Sequence, residues 1–314
     1  MKTQEPTRIH LTGVFTALVT PFTEKGDLDE PALRKLVRRQ VAGGVAGVVP
    51  CGTTGESVTL DPDEHERVVT VTVEEARSAR RAIRVIAGCG SNDTRRSQKL
   101  AERCRKAGAD ALLVVTPYYN KPTPRGLLEH FRAVADAGHL PVVAYNVPSR
   151  TGVNMLPETV LQLAEDTRMC AVKEASGSLD QACEILRNRP AGFSVLSGED
   201  SLALPMIACG ADGVIAVISN EVPALLVALV EAALTGERGE AARLQAKLLP
   251  LMRANFRESN PIPVKWALHR LGLIHDVLRL PLVPLSKGQH KPMEEALKEA
   301  GLLDDAGNAV EEAS

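Results

Sequence analysis

The sequence predicts an α/β protein: a (β/α)8 barrel of the TIM type with a C-terminal helical extension. Three observations carry this. Eight short apolar runs recur along the first two-thirds of the chain. The segments between them have the apolar spacing of helices. The 314 residues also exceed the ~250 of a typical barrel, which leaves room for an appendage.

The runs are residues 14–20 (VFTALVT), 46–50 (AGVVP), 85–87 (VIA), 111–116 (ALLVVT), 142–145 (VVAY), 171–173 (AVK), 194–196 (SVL) and 213–217 (GVIAV). They are mostly continuous rather than alternating, as strands buried on both faces should be. Between the first two, Asp29 can cap a helix whose Leu33, Leu36, Val37 and Val41 share one face. Asp61 and Pro62 suit the cap and first residue of a helix carrying His65, Val68, Val69 and Thr72. Gly43, Gly44, Gly108 and Gly210 stand where a glycine ends a helix, and Pro157 and Pro223 where one begins. Eight strands alternating with helices imply a parallel sheet, closed as a barrel or, as the competing reading, open and doubly wound. From about Pro223 the chain reads as entirely helical, with 232–256 and 261–273 carrying helical spacing. The expected division is 1–224 for the catalytic barrel and 225–314 for the last barrel helix plus the extension. No Gly/Ser linker separates them, so the extension should pack on the barrel.

Composition excludes several classes. Hydrophobic residues make up 44% and charged residues 24%, and the net charge is −2. That is ordinary for a globular chain and leaves no basic excess for nucleic acid. Aromatics are 3%, too few for a base-stacking platform. The opening MKTQEPTRIH lacks a signal-peptide core, and the apolar stretch 222–230 is far shorter than the ~20 residues of a membrane helix. The six cysteines form no CxxC pair and read as free, mostly buried thiols of a cytoplasmic protein. The seven histidines show no HxH, HxxH or HExxH spacing, so no metal site is expected. No GxGxxG or Walker A pattern occurs.

In a barrel of this kind the C-terminal ends of the strands carry the chemistry. Here they hold CGTTGES (51–57), GCGSN (88–92), TPYYN (116–120), YNVPSRTG (145–152), KE (173–174), SGED (197–200) and the stretch 216–220. All three tyrosines, Tyr118, Tyr119 and Tyr145, fall at these ends. Lys173 closes an apolar run and should point into the barrel mouth. There, desolvation would yield a neutral amine able to attack a carbonyl and form a Schiff base. The alternative is a lysine that snorkels to solvent or pairs with Glu174 or another nearby carboxylate. The polar set on neighbouring strands favours catalysis. Tyr145, one strand away, could shuttle protons, or be a core tyrosine with its hydroxyl satisfied. Thr53, Thr54 and Gly55 offer hydroxyls and backbone N–H groups at a strand-to-helix turn, a nest for a carboxylate, although a plain glycine turn would look the same. Arg150 could clamp a second carboxylate or lie solvated on the surface. Lys121 and Lys265 read as surface or structural residues. A phosphate site would lie after the seventh and eighth strands. Glu199 and Asp200 stand there and would repel it. Together these features suggest a Schiff-base enzyme acting on an unphosphorylated keto acid with no cofactor.

With GTTGES (52–57), AGCGSND (87–93), TPYYNKP (116–122), YNVPSRTG (145–152), VKEASG (172–177), SGED (197–200), DGVIAV (212–217) and NPIPVKWA (260–267) in order, the chain resembles the dihydrodipicolinate synthases. These belong to the pyruvate-dependent class I aldolases that include N-acetylneuraminate lyase. The resemblance runs from about residue 11 to 303. It implies a lyase that condenses pyruvate with L-aspartate 4-semialdehyde, towards diaminopimelate and lysine. It makes Lys173 the Schiff-base lysine, Tyr145 the proton donor and acceptor beside it, and Thr53 and Tyr119 its relay partners. The residue at the Tyr119 position reaches in from an adjacent subunit in that family, whose usual assembly is a dimer of dimers. Thr54 then helps hold the pyruvate carboxylate, Arg150 binds that of the semialdehyde, and Gly198 and Ile215 contribute main-chain groups near the lysine. Ser57, His65, Asn92 and Tyr118 match the family's site for inhibitory lysine. Arg96, however, stands where its glutamate would be, and Pro62 where one histidine would be. A cation there disfavours an ammonium ligand, so feedback by L-lysine should be weak or absent. Two other readings stay open: a sister aldolase or dehydratase for a sialic or deoxy-sugar keto acid, and a non-catalytic keto-acid sensor.

Overall fold

The structure, a computed structural model, describes residues 8–78 and 81–310. The opening MKTQEPT and the last residues of the expected second segment, 311–314, lie outside the described residues. The chain runs β1 (Gly13–Ala17), α1 (Glu30–Ala42), β2 (Gly47–Val49), α2 (Pro62–Ser78), β3 (Arg84–Gly88), α3 (Thr94–Lys106), β4 (Ala111–Val115), α4 (Pro124–Gly138) and β5 (Val142–Asn146). It continues through a short α5 (Pro148–Thr151), α6 (Pro157–Ala164), β6 (Met169–Glu174), α7 (Leu179–Asn188), β7 (Ser194–Ser197), α8 (Ala203–Ala208) and β8 (Gly213–Ala216). It ends with α9 (Pro223–Thr235), α10 (Arg238–Ala254), α11 (Ile262–Arg270) and α12 (Lys287–Ala300).

All eight apolar runs became strands. Each pairs in parallel with the next, and β1 pairs with β8, so the sheet closes and the open alternative is excluded. The caps act as their sequence suggested. The Asp29 carboxylate accepts from the Ala32 amide at 3.0 Å, and that of Asp61 from the Asp63 and Glu64 amides. The strands are buried on both faces because two cores flank them. Phe15, Ile86, Leu113, Val143, Leu196 and Ile215 fill the barrel interior, and a larger layer lies between sheet and helices.

The C-terminal part differs from the expectation of unbroken helix. Gly236, at φ +84°, ends α9 and separates it from α10. Gly272 (φ +71°) follows α11, and residues 273–285 run without helix. Pro281 and Pro284 there lack the N–H a helix needs. This stretch is anchored by Arg279, which donates to the Gly26 and Thr59 carbonyls and grips the Glu64 carboxylate with both terminal nitrogens. α9 packs on β1, β8 and α1; α10 packs on α8, α9 and α12. Of the six free cysteines, Cys51, Cys89, Cys104 and Cys170 are buried and Cys183 and Cys209 exposed. Burial pushes the Cys104 and Cys170 thiols up to about 12. Among the described residues no helix is long and apolar enough to cross a membrane.

Candidate active site

At the C-terminal mouth of the barrel lies a cavity of about 500 Å³, lined by Thr53, Thr54, Tyr145, Arg150, Lys173 and Gly198, among others. Lys173 ends β6. Its alternation with Glu174 decides its role: Lys173 points inward, while the Glu174 carboxylate accepts from the Ser176 amide (2.7 Å), Asn146 (3.1 Å) and Gln181 (3.2 Å). The pairing of Lys173 with Glu174 that the sequence allowed is therefore not made. The lysine is 5% exposed. Desolvation lowers its pKa to about 8, with Asp200 opposing and Arg150 reinforcing the shift.

Tyr145 is the register partner of Lys173 on β5, and the lysine nitrogen lies 4.3 Å from the ring centroid. Burial raises the phenol pKa to about 12, offset in part by Arg150 and by a hydrogen bond with the Thr53 side chain. The phenol therefore holds its proton at neutral pH and can donate it. Gly198 is a glycine for room: a Cβ there would stand 2.7 Å from the Ala175 Cβ and 3.1 Å from the Lys173 Cγ and Cε. Asp200, just beyond, accepts from the Val217 and Ile218 amides at 3.0 and 2.8 Å and titrates near 6 because burial outweighs those bonds.

Thr53–Gly55 form a turn after β2, but not at the mouth of a long helix. A 3-10 turn (Ser57–Thr59) intervenes before α2. The Thr54 hydroxyl is engaged by the Asn260 side chain at 2.9 Å, and the Asn260 carbonyl accepts from Arg150 at 3.3 Å. Asn260 and its neighbours Phe256–Ser259 line the same cavity. Sequence reasoning missed this contribution of the extension; the only signal was the NPIPVKWA string, quoted without a role for its asparagine.

Two predicted residues lie elsewhere. Ile215 is fully buried in the barrel interior and does not line the cavity. Tyr119 is 89% exposed at φ +72° and lines neither hollow at the barrel mouth. Next to the mouth, a second hollow of about 310 Å³ is shared by Thr53, Tyr145 and Arg150 with Ser57, Val58 and Tyr118. Ser57, His65, Arg96 and Tyr118 meet around a third, of about 20 Å³. Asn92 is adjacent, its carbonyl accepting from Asn120. The His65 Nε2 sits 2.7 Å from the Gly88 carbonyl, and burial lowers the ring's pKa, so the ring is neutral. No group of His, Cys, Asp and Glu among the described residues is placed to hold a metal ion.

Comparison with known proteins agrees with this geometry. The Dihydrodipicolinate synthetase family profile matches residues 10–300. The 4-hydroxy-tetrahydrodipicolinate synthase of Geotalea daltonii is 49% identical, with 93% of this chain and 99% of the relative covered. The crystal structure of dihydrodipicolinate synthase from Thermotoga maritima superposes with a TM-score of 0.91 at 42% identity, covering 94% of this chain and all of that one. That of the chloride-inhibited enzyme from Acinetobacter baumannii, complexed with pyruvate, gives 0.90 at 40% identity, covering 93% and 99%.

Proposed function

The chain belongs to the dihydrodipicolinate synthetase family, and on that premise we propose that it is a lyase condensing pyruvate with L-aspartate 4-semialdehyde to 4-hydroxy-tetrahydrodipicolinate. The observation that carries the reading is a buried, desolvated Lys173 beside a protonated Tyr145 at the barrel mouth.

The neutral Lys173 amine adds to the pyruvate ketone. Tyr145 protonates the departing hydroxyl, so one water leaves and an imine joins lysine to pyruvate. The Tyr145 phenolate then takes back a methyl proton, giving an enamine whose carbon attacks the aldehyde of the second substrate. The Tyr145 proton goes to the new hydroxyl. The substrate's own amine then displaces Lys173 from the imine, closing the ring and freeing the enzyme. The covalent lysine adduct supplies the electron sink, so no separate cofactor enters the scheme. The Thr53–Thr54 turn holds the pyruvate carboxylate, Arg150 that of the semialdehyde, and Gly198 leaves room for the adduct. Ile215, on β8 in the barrel interior, contributes main-chain groups near the lysine in this reading.

Tyr119, projecting into solvent, fits a role in a second copy's relay with Thr53 and Tyr145. The working form is therefore a homodimer, or a dimer of dimers, in the cytoplasm. The barrel that carries the lysine is 1–224, with 225–314 supplying the last barrel helix and an extension whose Phe256–Asn260 segment also lines the cavity. Arg96 makes the Ser57–His65–Asn92–Tyr118 cluster a poor host for an ammonium ligand.

Turnover of the purified protein with pyruvate and aspartate semialdehyde, coupled to the downstream reductase, tests the reading. A rate lost in Lys173→Ala supports it. No rate, but reductive trapping of pyruvate on Lys173, transfers the chemistry to another aldehyde. Binding without trapping leaves only the sensor.

A further inference from the structure

Lys265 of α11 and Glu56 form an ion pair at 2.6 Å, with side chains 0% and 1% exposed, that the reaction above does not use. Burying two charges rarely adds stability over an apolar pair of the same size. Its partners therefore indicate what it serves. Lys265 also donates to the Thr20 carbonyl at 3.0 Å. The Thr20 hydroxyl donates to the Gly55 carbonyl at 2.7 Å. The second Glu56 oxygen accepts from the Arg279 amide at 3.1 Å, and the Glu56 amide donates to the Thr53 carbonyl at 3.2 Å. Glu56 itself sits at φ +50°, a conformation a non-glycine residue keeps only when its surroundings impose it.

We propose, on the reading that the Thr53–Thr54 turn binds the pyruvate carboxylate, that Lys265 and Glu56 are positioning residues by which the C-terminal extension holds that turn in its binding geometry. Every bond of the pair ends on the turn or on a strand or segment beside it. Asn260, just before α11, adds a second tie from the same extension to Thr54. The extension is thus part of the pyruvate site without touching pyruvate through Lys265 at all.

The test uses the full-length protein with Glu56→Gln, Lys265→Met and the double variant. Each single change strands a buried charge and lowers the melting temperature. The double change removes both charges and recovers most of that loss. It still lacks the bonds to Thr20 and Glu56. Its KM for pyruvate should rise about 10-fold while the KM for the semialdehyde stays within about 2-fold, and amide exchange at Glu56 and Ser57 should quicken. A double variant with wild-type pyruvate KM and wild-type exchange overturns the proposal. Thr20→Val keeps both charges and cuts only the bond to Gly55, so it carries the same test if the charge variants do not fold. A wild-type protein that neither turns over nor traps pyruvate would sink the proposed reaction instead, and the exchange measurement would still decide whether the pair holds the turn.

Discussion

Lys173 and Tyr145 are register partners on adjacent strands, with the lysine nitrogen 4.3 Å from the centroid of the phenol ring. Parallel pairing of β5 and β6 places both on the inward face, where they line one cavity. The backbone therefore fixes the proposed nucleophile and its proposed proton donor before any substrate arrives.

The lysine reacts only when neutral. With its pKa lowered to about 8, Schiff-base formation should rise as pH increases through about 8 and then level off. Arg150 lowers that pKa and Asp200 raises it. Arg150→Leu should move the limb to higher pH and Asp200→Asn to lower pH. Rates of borohydride trapping against pH measure both, and limbs that stay in place would contradict the assigned neighbours.

Gly198→Ala places a methyl group 3.1 Å from the Lys173 side chain and 2.7 Å from Ala175. Lys173 must tilt to accommodate it. The expected result is a loss of about 10- to 100-fold in kcat/KM, with a smaller loss of thermal stability. Steady-state kinetics beside a melting curve separate the two.

Tyr119 is exposed and has a left-handed backbone conformation. If it completes the site of another copy, Tyr119→Phe lowers kcat by about 10-fold or more with little change in melting temperature. Wild-type activity should also fall on dilution, as copies separate. Activity proportional to concentration down to the monomer range would refute a shared site.

Arg96 lines the small hollow with His65 and Tyr118, and His65 is neutral there. Among the described residues no carboxylate lines that hollow to balance a ligand's ammonium. L-lysine should therefore inhibit weakly or not at all, and Arg96→Glu should increase its effect. Inhibition curves of both proteins test this, and half-inhibition of the wild type at sub-millimolar lysine would defeat it.

The barrel was legible because its signals are local. Each run such as 111–116 is apolar throughout, and caps such as Asp29 sit within three residues of the amides they satisfy. The inward direction of Lys173 followed from its place at a strand end. The C-terminal part was harder. Its stretch 273–285 is held by Arg279 reaching Gly26 and Glu64, residues more than 200 positions away. The same distance hid Lys265, whose partner Glu56 lies 209 positions earlier. No periodicity within α11 distinguishes a lysine buried against a remote glutamate from one that is solvated. Thr53–Gly55 reads in sequence as a strand-to-helix turn, and the Ser57–Thr59 turn that intervenes before α2 leaves no periodic mark in the sequence.

The most direct measurement is borohydride reduction of the protein in the presence of pyruvate, followed by peptide mass spectrometry. The account predicts a single carboxyethyl adduct, on Lys173, absent in Lys173→Ala and slowed in Tyr145→Phe. An unmodified Lys173, or an adduct carried by Lys121 or Lys265 instead, would contradict it.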